Sequence, residues 1–289
     1  MISKDIPLIG FTIFCQLSVG AILLYNFIVF LPTYRNKSHQ PPQFKTIPFL
    51  VFTLAVVSVL FATFHLGHPL KAFRTLDNLS SSWLSREILV LIFYVFGLIL
   101  FNLVLFFKGE WPRVSLILLN FTTLTGIILV YTMSRIYSAM PIPAWQPVFT
   151  LLNFIAATLT MGGGLMLLMN IQKGSLSVQQ SLAWIIGIVL LMEIIFIPIF
   201  LSYLDQNSIT SQLSLKILLE DYSLIFYFRL AFQLVSLGFI SLTIVGIRSD
   251  IPVFKKFYWP VIGAALFIFL NEIFGRILFY GVDVPIGSL

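Results

Sequence analysis

The sequence has few of the residues that soluble proteins turn toward water. Only 10% of its 289 residues are Asp, Glu, Lys or Arg, while 59% are hydrophobic. A soluble globular domain carries about a quarter charged residues, so this protein cannot cover itself with a surface compatible with water. The composition excludes a soluble enzyme and predicts an integral membrane protein.

Cysteine is also scarce, because Cys15 is the single one. A lone thiol cannot build an iron–sulfur cluster or a cysteine-based zinc site, and it cannot form a disulfide within the chain. The net charge of +6 is what basic loops between membrane spans would give, so it does not indicate nucleic-acid binding.

Long apolar runs are abundant. A helix of about 20 apolar residues crosses a bilayer and satisfies its own backbone hydrogen bonds there. We therefore predict an all-α integral membrane protein whose eight transmembrane helices form two four-helix bundles. The predicted spans are 8–31, 47–65, 86–107, 115–137, 148–169, 182–203, 224–247 and 259–281, within one membrane domain covering residues 1–289.

The loops predict the orientation of the chain. An even number of spans places both termini on one side of the membrane. The loops on the opposite side carry nine basic residues against only Glu110 and Asp250. Because basic loops are retained in the cytoplasm, both termini are predicted to be periplasmic, in a bacterial inner membrane. Tryptophans near span ends, Trp145 among them, are expected at the headgroup level.

Polar chemistry is concentrated between the second and third spans, in "FATFHLGHPLKAFRTLDNLSSSWLSREI", residues 61–88. His65 ends one span and Glu87 begins the next, so both are expected at the same face. Each alone has an ordinary explanation, since a histidine at a helix end, or a glutamate after a capping Ser85, interacts with the helix dipole. Together, in a chain so poor in ionisable groups, they favour a functional site.

The nature of that site follows from what the histidines exclude. His65 and His68 belong to one helix end and His39 lies on the opposite side, so no haem is expected between facing helices. No carboxylate cluster indicates a metal centre. Proton transfer from a lipid-soluble ligand remains, because an imidazole accepts a proton near neutral pH and an interfacial carboxylate accepts the next. A quinol, which releases two protons and two electrons, fits this chemistry.

Other polar features lie inside the spans. Glu272, Arg276 and Tyr280 share one helix face, and Glu272 and Arg276 are predicted to form an ion pair. Glu193 has no partner nearby in sequence, so it is expected to face an interior cavity or to be protonated, and it is assigned no role. The small residues Gly162–Gly164 predict close packing between helices.

Several stretches resemble the membrane-anchor subunit of the dimethyl sulfoxide reductase family, and the resemblance extends over the whole length. They are "HLGHPLKAF" (65–73), "LSREI" (84–88), "RIY" (135–137) with the "PAW" that follows, the region of Arg229, and "NEIFGRILFYG" (271–281).

The resemblance implies a subunit that anchors a molybdopterin catalytic subunit and an iron–sulfur electron-transfer subunit to the membrane. It implies that the protein binds and oxidises menaquinol without haem, iron–sulfur cluster or metal of its own. The family's quinol site corresponds to His65 and Glu87. His68, where the family often has a small residue, and Arg86 are further candidates for binding quinol.

Three alternatives stay open. A membrane subunit of the polysulfide- or nitrite-reductase type also handles quinones without haem. A secondary transporter is a different class, although the ionisable residues gather at one face and no pair of broken helices is evident. A plain anchor without a quinone site predicts that His65 and Glu87 can be exchanged without loss of activity. The terminal electron acceptor and the choice between menaquinone and ubiquinone are also open.

Overall fold

The computed structural model describes residues 2–31, 45–65, 76–108, 113–171, 175–248 and 258–286, without the side chains of residues 2–4, 65, 108 and 248. These residues contain no strand, and their α-helices are α1 (Ile2–Phe30), α2 (Thr46–His65), α3 (Trp83–Lys108), α4 (Arg113–Ser138), α5 (Pro147–Met169), α6 (Leu176–Asn207), α7 (Ile209–Leu219), α8 (Ser223–Arg248) and α9 (Trp259–Gly281). All except α7 are long and apolar enough to cross a membrane, which confirms the prediction of an all-α membrane protein with eight spans.

Three helices begin three or more residues before their predicted spans: α1 at Ile2, α3 at Trp83 and α6 at Leu176. Helix α3 begins at Trp83 because Ser82 caps it, its Oγ accepting the backbone N–H of Ser85 at 3.3 Å. Helix α6 has 32 residues and contains Pro198. At 1.5 Å per residue α6 is about 48 Å long, compared with about 30 Å for the hydrocarbon layer.

Two short elements lie in segments that the sequence analysis treated as linkers. One is a single turn of 3₁₀-helix at Pro143–Trp145, and the other is α7. A capping box starts α7, in which the side chains of Ser208 and Ser211 each accept the other residue's backbone N–H. The sequence does not predict this capping box, because Ser211 occupies the third helical position, where Glu or Gln is usual.

The helices pack in two connected sets. Helices α1, α2, α3 and α4 contact one another in a closed ring, and α5, α6, α8 and α9 form a second ring. Helices α1 and α4 join the rings. Helix α1 packs against α5 about as extensively as against α2 and also touches α9, and α4 packs against α5. The division into two separate bundles therefore stays a prediction.

Glycines allow the two rings to meet. An ideal Cβ atom on Gly162 would lie 2.2 Å from the carbonyl carbon of Gly20, and one on Gly20 would lie 1.9 Å from the carbonyl oxygen of Thr158. The backbones of α1 and α5 are thus in direct contact, as small residues permit in membrane helices. The predicted packing role of this glycine run is confirmed.

The helices alternate in direction, so the beginnings of α1, α3, α5 and α8 lie at the same end of the molecule as the ends of α2, α4, α6 and α9. We call this end the terminal face, because the described residues start and finish there. The last described residues are held to it by a hydrogen bond from the backbone N–H of Ile286 to the carbonyl of Pro141, 2.8 Å long.

Candidate functional site at the terminal face

Glu87 lies one turn inside α3, close to the terminal face. The capping residue is Ser82 and not the predicted Ser85, which is buried. This moves Glu87 about 6 Å into the helix from Trp83. Only 6% of its surface is exposed. Because the dipole effect fades within the first turn, interaction with the helix terminus explains Glu87 less well than the sequence suggested.

His65 is the last residue of α2, and α2 packs against α3. The end of α2 and the beginning of α3 lie at the terminal face, so the backbones of His65 and Glu87 share that face, as expected. The side chain of His65 and the whole of His68 lie outside the described part of the structure. A direct pairing of either imidazole with Glu87 therefore stays a prediction.

Two tyrosine hydroxyls meet where α4 and α9 end at the terminal face. The Tyr137 and Tyr280 hydroxyls, from α4 and α9, are hydrogen bonded at 2.6 Å. Glu87, in the second turn of α3, lies toward the same face as the ends of α4 and α9 that carry these hydroxyls. A carboxyl group on the same face as hydroxyls is suited to accepting and passing on a proton.

Arg86 is engaged in holding the segment that precedes α3. Its Nε donates to the Leu79 carbonyl at 2.9 Å and its Nη2 donates to the Ser80 carbonyl at 2.6 Å. Its guanidinium also lies 4.4 Å from the ring centre of Trp83, and Arg135 approaches the same ring at 5.2 Å. Adjacent helical residues point in different directions, so Arg86 and Glu87 serve different surroundings. A part for Arg86 in quinol binding stays a prediction.

Two of the regions that resemble the family, "RIY" with "PAW" and "NEIFGRILFYG", meet in one aromatic cluster. Its members are Tyr137, Trp145, Phe154, Phe279 and Tyr280. Trp145 is 5% exposed and its indole N–H donates to the Phe279 carbonyl at 2.8 Å. The expectation that Trp145 lies among lipid headgroups is wrong, because the 3₁₀ turn directs it into the protein.

The predicted ion pair between Glu272 and Arg276 is also wrong. Within the described residues the sole ion pair joins Lys216 and Glu220, at 3.9 Å. Arg276 is buried against α1 and α5, where its Nη2 donates to Gln16 Oε1 at 2.7 Å and its guanidinium lies 3.9 Å from the ring centre of Phe154.

Glu272 finds other partners in the interior. Its Oε1 accepts hydrogen bonds from Thr160 at 3.1 Å and from Asn271 at 3.2 Å. Both members of the predicted pair thus hydrogen bond to neutral groups. The sequence does not predict Gln16 as the partner of Arg276, because a neutral amide inside a long apolar run has no distinctive pattern.

Glu193, which has no partner nearby in sequence, has one on α8. Gln233 Nε2 donates to its Oε2 at 3.2 Å, and Glu193 is 8% exposed. Glu193 lines a cavity among α5, α6, α8 and α9, which also contains Arg229. Glu87 does not line this cavity, so Glu87 and Glu193 belong to distinct regions of the molecule.

These features define a multi-pass helical membrane protein with buried ionisable residues beneath one face. The family model for the DMSO reductase anchor subunit (DmsC) matches residues 2–282. The protein therefore belongs to the family of DMSO reductase anchor subunits.

Related proteins agree with this assignment. The sequence is 31% identical over 166 residues to the C subunit of the anaerobic dimethyl sulfoxide reductase of Haemophilus influenzae, an alignment that spans 55% of this protein and 56% of that one. It is 26% identical over 288 residues to the anaerobic dimethyl sulfoxide reductase subunit YnfH of Escherichia coli, covering 97% of this protein and 95% of the relative. Identity to the C subunit of the same organism is 25% over 293 aligned positions, covering 97% and 96%.

Proposed function

We propose that this protein binds menaquinol at the terminal face, oxidises it and passes the electrons to an iron–sulfur subunit. That subunit in turn serves a molybdopterin catalytic subunit of an anaerobic respiratory reductase. The observation that carries the proposal is Glu87, which is buried one turn inside α3 on the same face as His65. Family membership supports the anchoring role, and the names of the relatives support a dimethyl sulfoxide reductase as the complex.

The proposed chemistry is the removal of two protons and two electrons from a hydroquinone, which leaves the quinone. His65 accepts a proton from one ring hydroxyl, because an imidazole is basic near neutral pH. Glu87 accepts the other, and its position near the terminal face allows release of that proton to water. The electrons leave one at a time toward the iron–sulfur partner.

The location of the partners follows from the same face. Both ends of the described structure and Glu87 lie there, and the distribution of basic loops supports a periplasmic position for it. We infer that the catalytic and electron-transfer subunits dock on this side of the inner membrane. In this proposal the anchor itself contributes no haem, iron–sulfur cluster or metal, and it contacts lipid but no nucleic acid.

The proposal is tested in the complete complex on membranes, with Glu87→Gln and His65→Gln. The amide at position 87 keeps the shape of the side chain but is no proton acceptor. Losing a positioned general base commonly costs on the order of 10²–10⁴ in rate, so oxidation of a menaquinol analogue should fall by that factor. An artificial donor that reduces the catalytic partner directly should still support full activity.

Glu220→Gln is the matched control, because it makes the same chemical change at a glutamate whose side chain is 65% exposed beyond α7. It should leave both activities unchanged. If Glu87→Gln and His65→Gln also leave quinol oxidation unchanged, the protein is a plain anchor and the proposed site is refuted.

A further inference from the structure

The second ring of helices encloses a cavity that the proposed quinol chemistry does not use. It lies among α5, α6, α8 and α9 and has a volume of about 280 Å³. This is close to the lower end of the roughly 300–1,000 Å³ of small-molecule sites. Its wall is rich in aromatic rings, contributed by Phe149, Phe196, Phe200, Phe226 and Phe279.

Polar atoms without partners point to a ligand. Glu193 lines the cavity, and its Oε1 has no hydrogen-bond partner although Gln233 satisfies Oε2. Arg229 Nε and Thr150 Oγ1 belong to residues that also line the wall, and these atoms also lack partners. Buried polar groups are nearly always hydrogen bonded, so three such atoms around one cavity need an explanation.

Gly275 makes room for the guanidinium at the cavity wall. An ideal Cβ atom on Gly275 would lie 3.1 Å from Arg229 Nε, so a larger residue would force the arginine side chain to shift. Gly275 lines the same cavity from α9. The cavity wall therefore contains a hydrogen-bond donor, Arg229 of α8, and an acceptor, Glu193 of α6.

The cavity opens toward the lipid. Ile155 of α5 and Met192 of α6 line it, yet they are 42% and 53% exposed. Both residues belong to helices long enough to span the membrane, so their exposed sides face hydrocarbon. A ligand therefore enters sideways from the bilayer, with room for a tail to remain outside.

The charges select among lipid-soluble ligands. An anionic headgroup would pair with Arg229 but would also meet the carboxyl group of Glu193. A neutral ring with a carbonyl and a hydroxyl group suits both, because the carbonyl oxygen accepts from Arg229 and the hydroxyl donates to Glu193 or Thr150. The phenylalanine wall supplies faces and edges for packing against the ring.

We propose that this cavity is a second ligand site, which binds a neutral, lipid-soluble ring with hydroxyl or carbonyl oxygens, that is, a quinone or hydroquinone. The site is separate from Glu87 and does not depend on the oxidation proposed there. It is a binding site, and no redox step is assigned to it.

The test uses the complete complex in membranes and a photoreactive naphthoquinone with a short isoprenoid tail. After irradiation, labelled peptides are identified by mass spectrometry. We expect labelling of α5 and α6 at the cavity. Ala156→Trp fills the cavity without changing its polar groups and should abolish that labelling, while Arg229→Gln should weaken binding about tenfold through loss of a charged donor.

Ile262→Trp is the control for added bulk, because Ile262 is 55% exposed and does not line the cavity. It should leave the labelling unchanged. Absence of label from α5 and α6 in the unmodified complex would overturn the proposal and leave water as the occupant. The same conclusion follows if Ala156→Trp is labelled normally. Displacement of the label by phosphatidylglycerol but not by unlabelled naphthoquinone would identify the site as one for a lipid headgroup and would also refute it.

The two proposals fail separately. Glu87→Gln should abolish quinol oxidation and leave cavity labelling intact. If Ala156→Trp abolishes quinol oxidation and Glu87→Gln does not, the cavity is a quinone site and the oxidation site assigned to Glu87 is wrong. If Glu87→Gln slows oxidation and the cavity is never labelled, the proposed function stands without the second site.

Discussion

Both rings of helices contain buried glutamates, and Glu87 of the first ring differs in its surroundings from Glu193 of the second. Glu87 is 6% exposed and lies at the end of α3 that shares a face with His65 and with the paired hydroxyls of Tyr137 and Tyr280. Glu193 is 8% exposed, accepts one hydrogen bond from Gln233 and lines an aromatic cavity open to lipid. The two glutamates are therefore buried to a similar extent but have different neighbours.

Because the two glutamates are buried to a similar extent, the different roles that we propose for them rest on their neighbours. Hydroxyls and a terminal position favour proton exchange with water at Glu87. An apolar wall with one opposing guanidinium favours holding a polar ring at Glu193. The variants below test how the two rings are held together and whether the region of Glu87 can be altered without affecting the rest of the protein.

The largest effect is expected where the rings meet. Gly162→Val places a branched side chain against the backbone of Gly20, which cannot move aside. Overpacking a core lowers the free energy of unfolding by about 1–3 kcal/mol. Because the new side chain meets backbone atoms, we expect a loss near the upper end of this range. The free energy of unfolding in detergent should fall by about 3 kcal/mol, and the rings should separate first.

Gly238→Ala is the matched control for that variant. A Cβ atom at Gly238 meets nothing within 4 Å. Alanine is favoured over glycine in a helix by up to about 1 kcal/mol, so stability should stay equal or rise slightly. Equal losses in both variants would show that the crossing of α1 and α5 does not hold the rings together.

The next effect concerns the hydrogen bond that links the rings through α1 and α9. Arg276→Leu removes the donor to Gln16 Oε1 and the guanidinium above Phe154. Hydrogen bonds to charged groups contribute about 1.5–3 kcal/mol, so the free energy of unfolding should fall by about 2 kcal/mol. Adding Gln16→Leu should recover part of the loss, and a purely additive double variant would contradict the direct contact.

A smaller loss of stability is expected when the N-terminal caps of α3 and α7 are removed. Ser82→Ala removes the cap of α3 and Ser208→Ala removes the cap of α7. Each should cost about 1 kcal/mol in local or global unfolding, measured by hydrogen exchange. Ser82→Ala should also slow quinol oxidation, because the cap positions the turn before Glu87. Ser208→Ala should leave the oxidation rate unchanged, and a reduction there would contradict the separation of the two regions.

The smallest effect belongs to the exposed ion pair of α7. Lys216 and Glu220 have side chains 62% and 65% exposed and are spaced one turn apart. Such pairs contribute about 0.3–0.5 kcal/mol. Lys216→Gln should therefore shift thermal unfolding within measurement error, and a larger shift would indicate that α7 docks against a partner through this pair.

The number of spans and the helical class could be predicted from the sequence because they depend on local composition. Runs of about 20 apolar residues suffice to place a membrane helix. The start of α3 was misplaced by three residues because the cap lies in a serine run, where Ser80, Ser81, Ser82 and Ser85 are equivalent candidates by pattern alone. The structure selects Ser82.

The partners inside the membrane could not be predicted, since they come from distant segments. Arg276 and Gln16 are 260 residues apart in the sequence, and Tyr137 and Tyr280 are 143 apart. The "RIY" (135–137) and "NEIFGRILFYG" (271–281) stretches supply the two sides of the tyrosine contact. No local pattern in the sequence indicated these contacts. The lack of a local partner for Glu193 did predict an interior cavity or protonation there, and the structure confirms that Glu193 lines a cavity.

Pro198 gives the two regions different mechanical properties. Proline has no backbone N–H, so the carbonyl of Ile194, one turn earlier in α6, lacks its usual donor. A helix is most easily bent at such a point. Glu193 precedes this hinge and Phe200 follows it, and both line the cavity. We therefore expect the cavity to be compliant, widening as α6 bends, whereas α3 has no proline near Glu87 and forms a stiff wall.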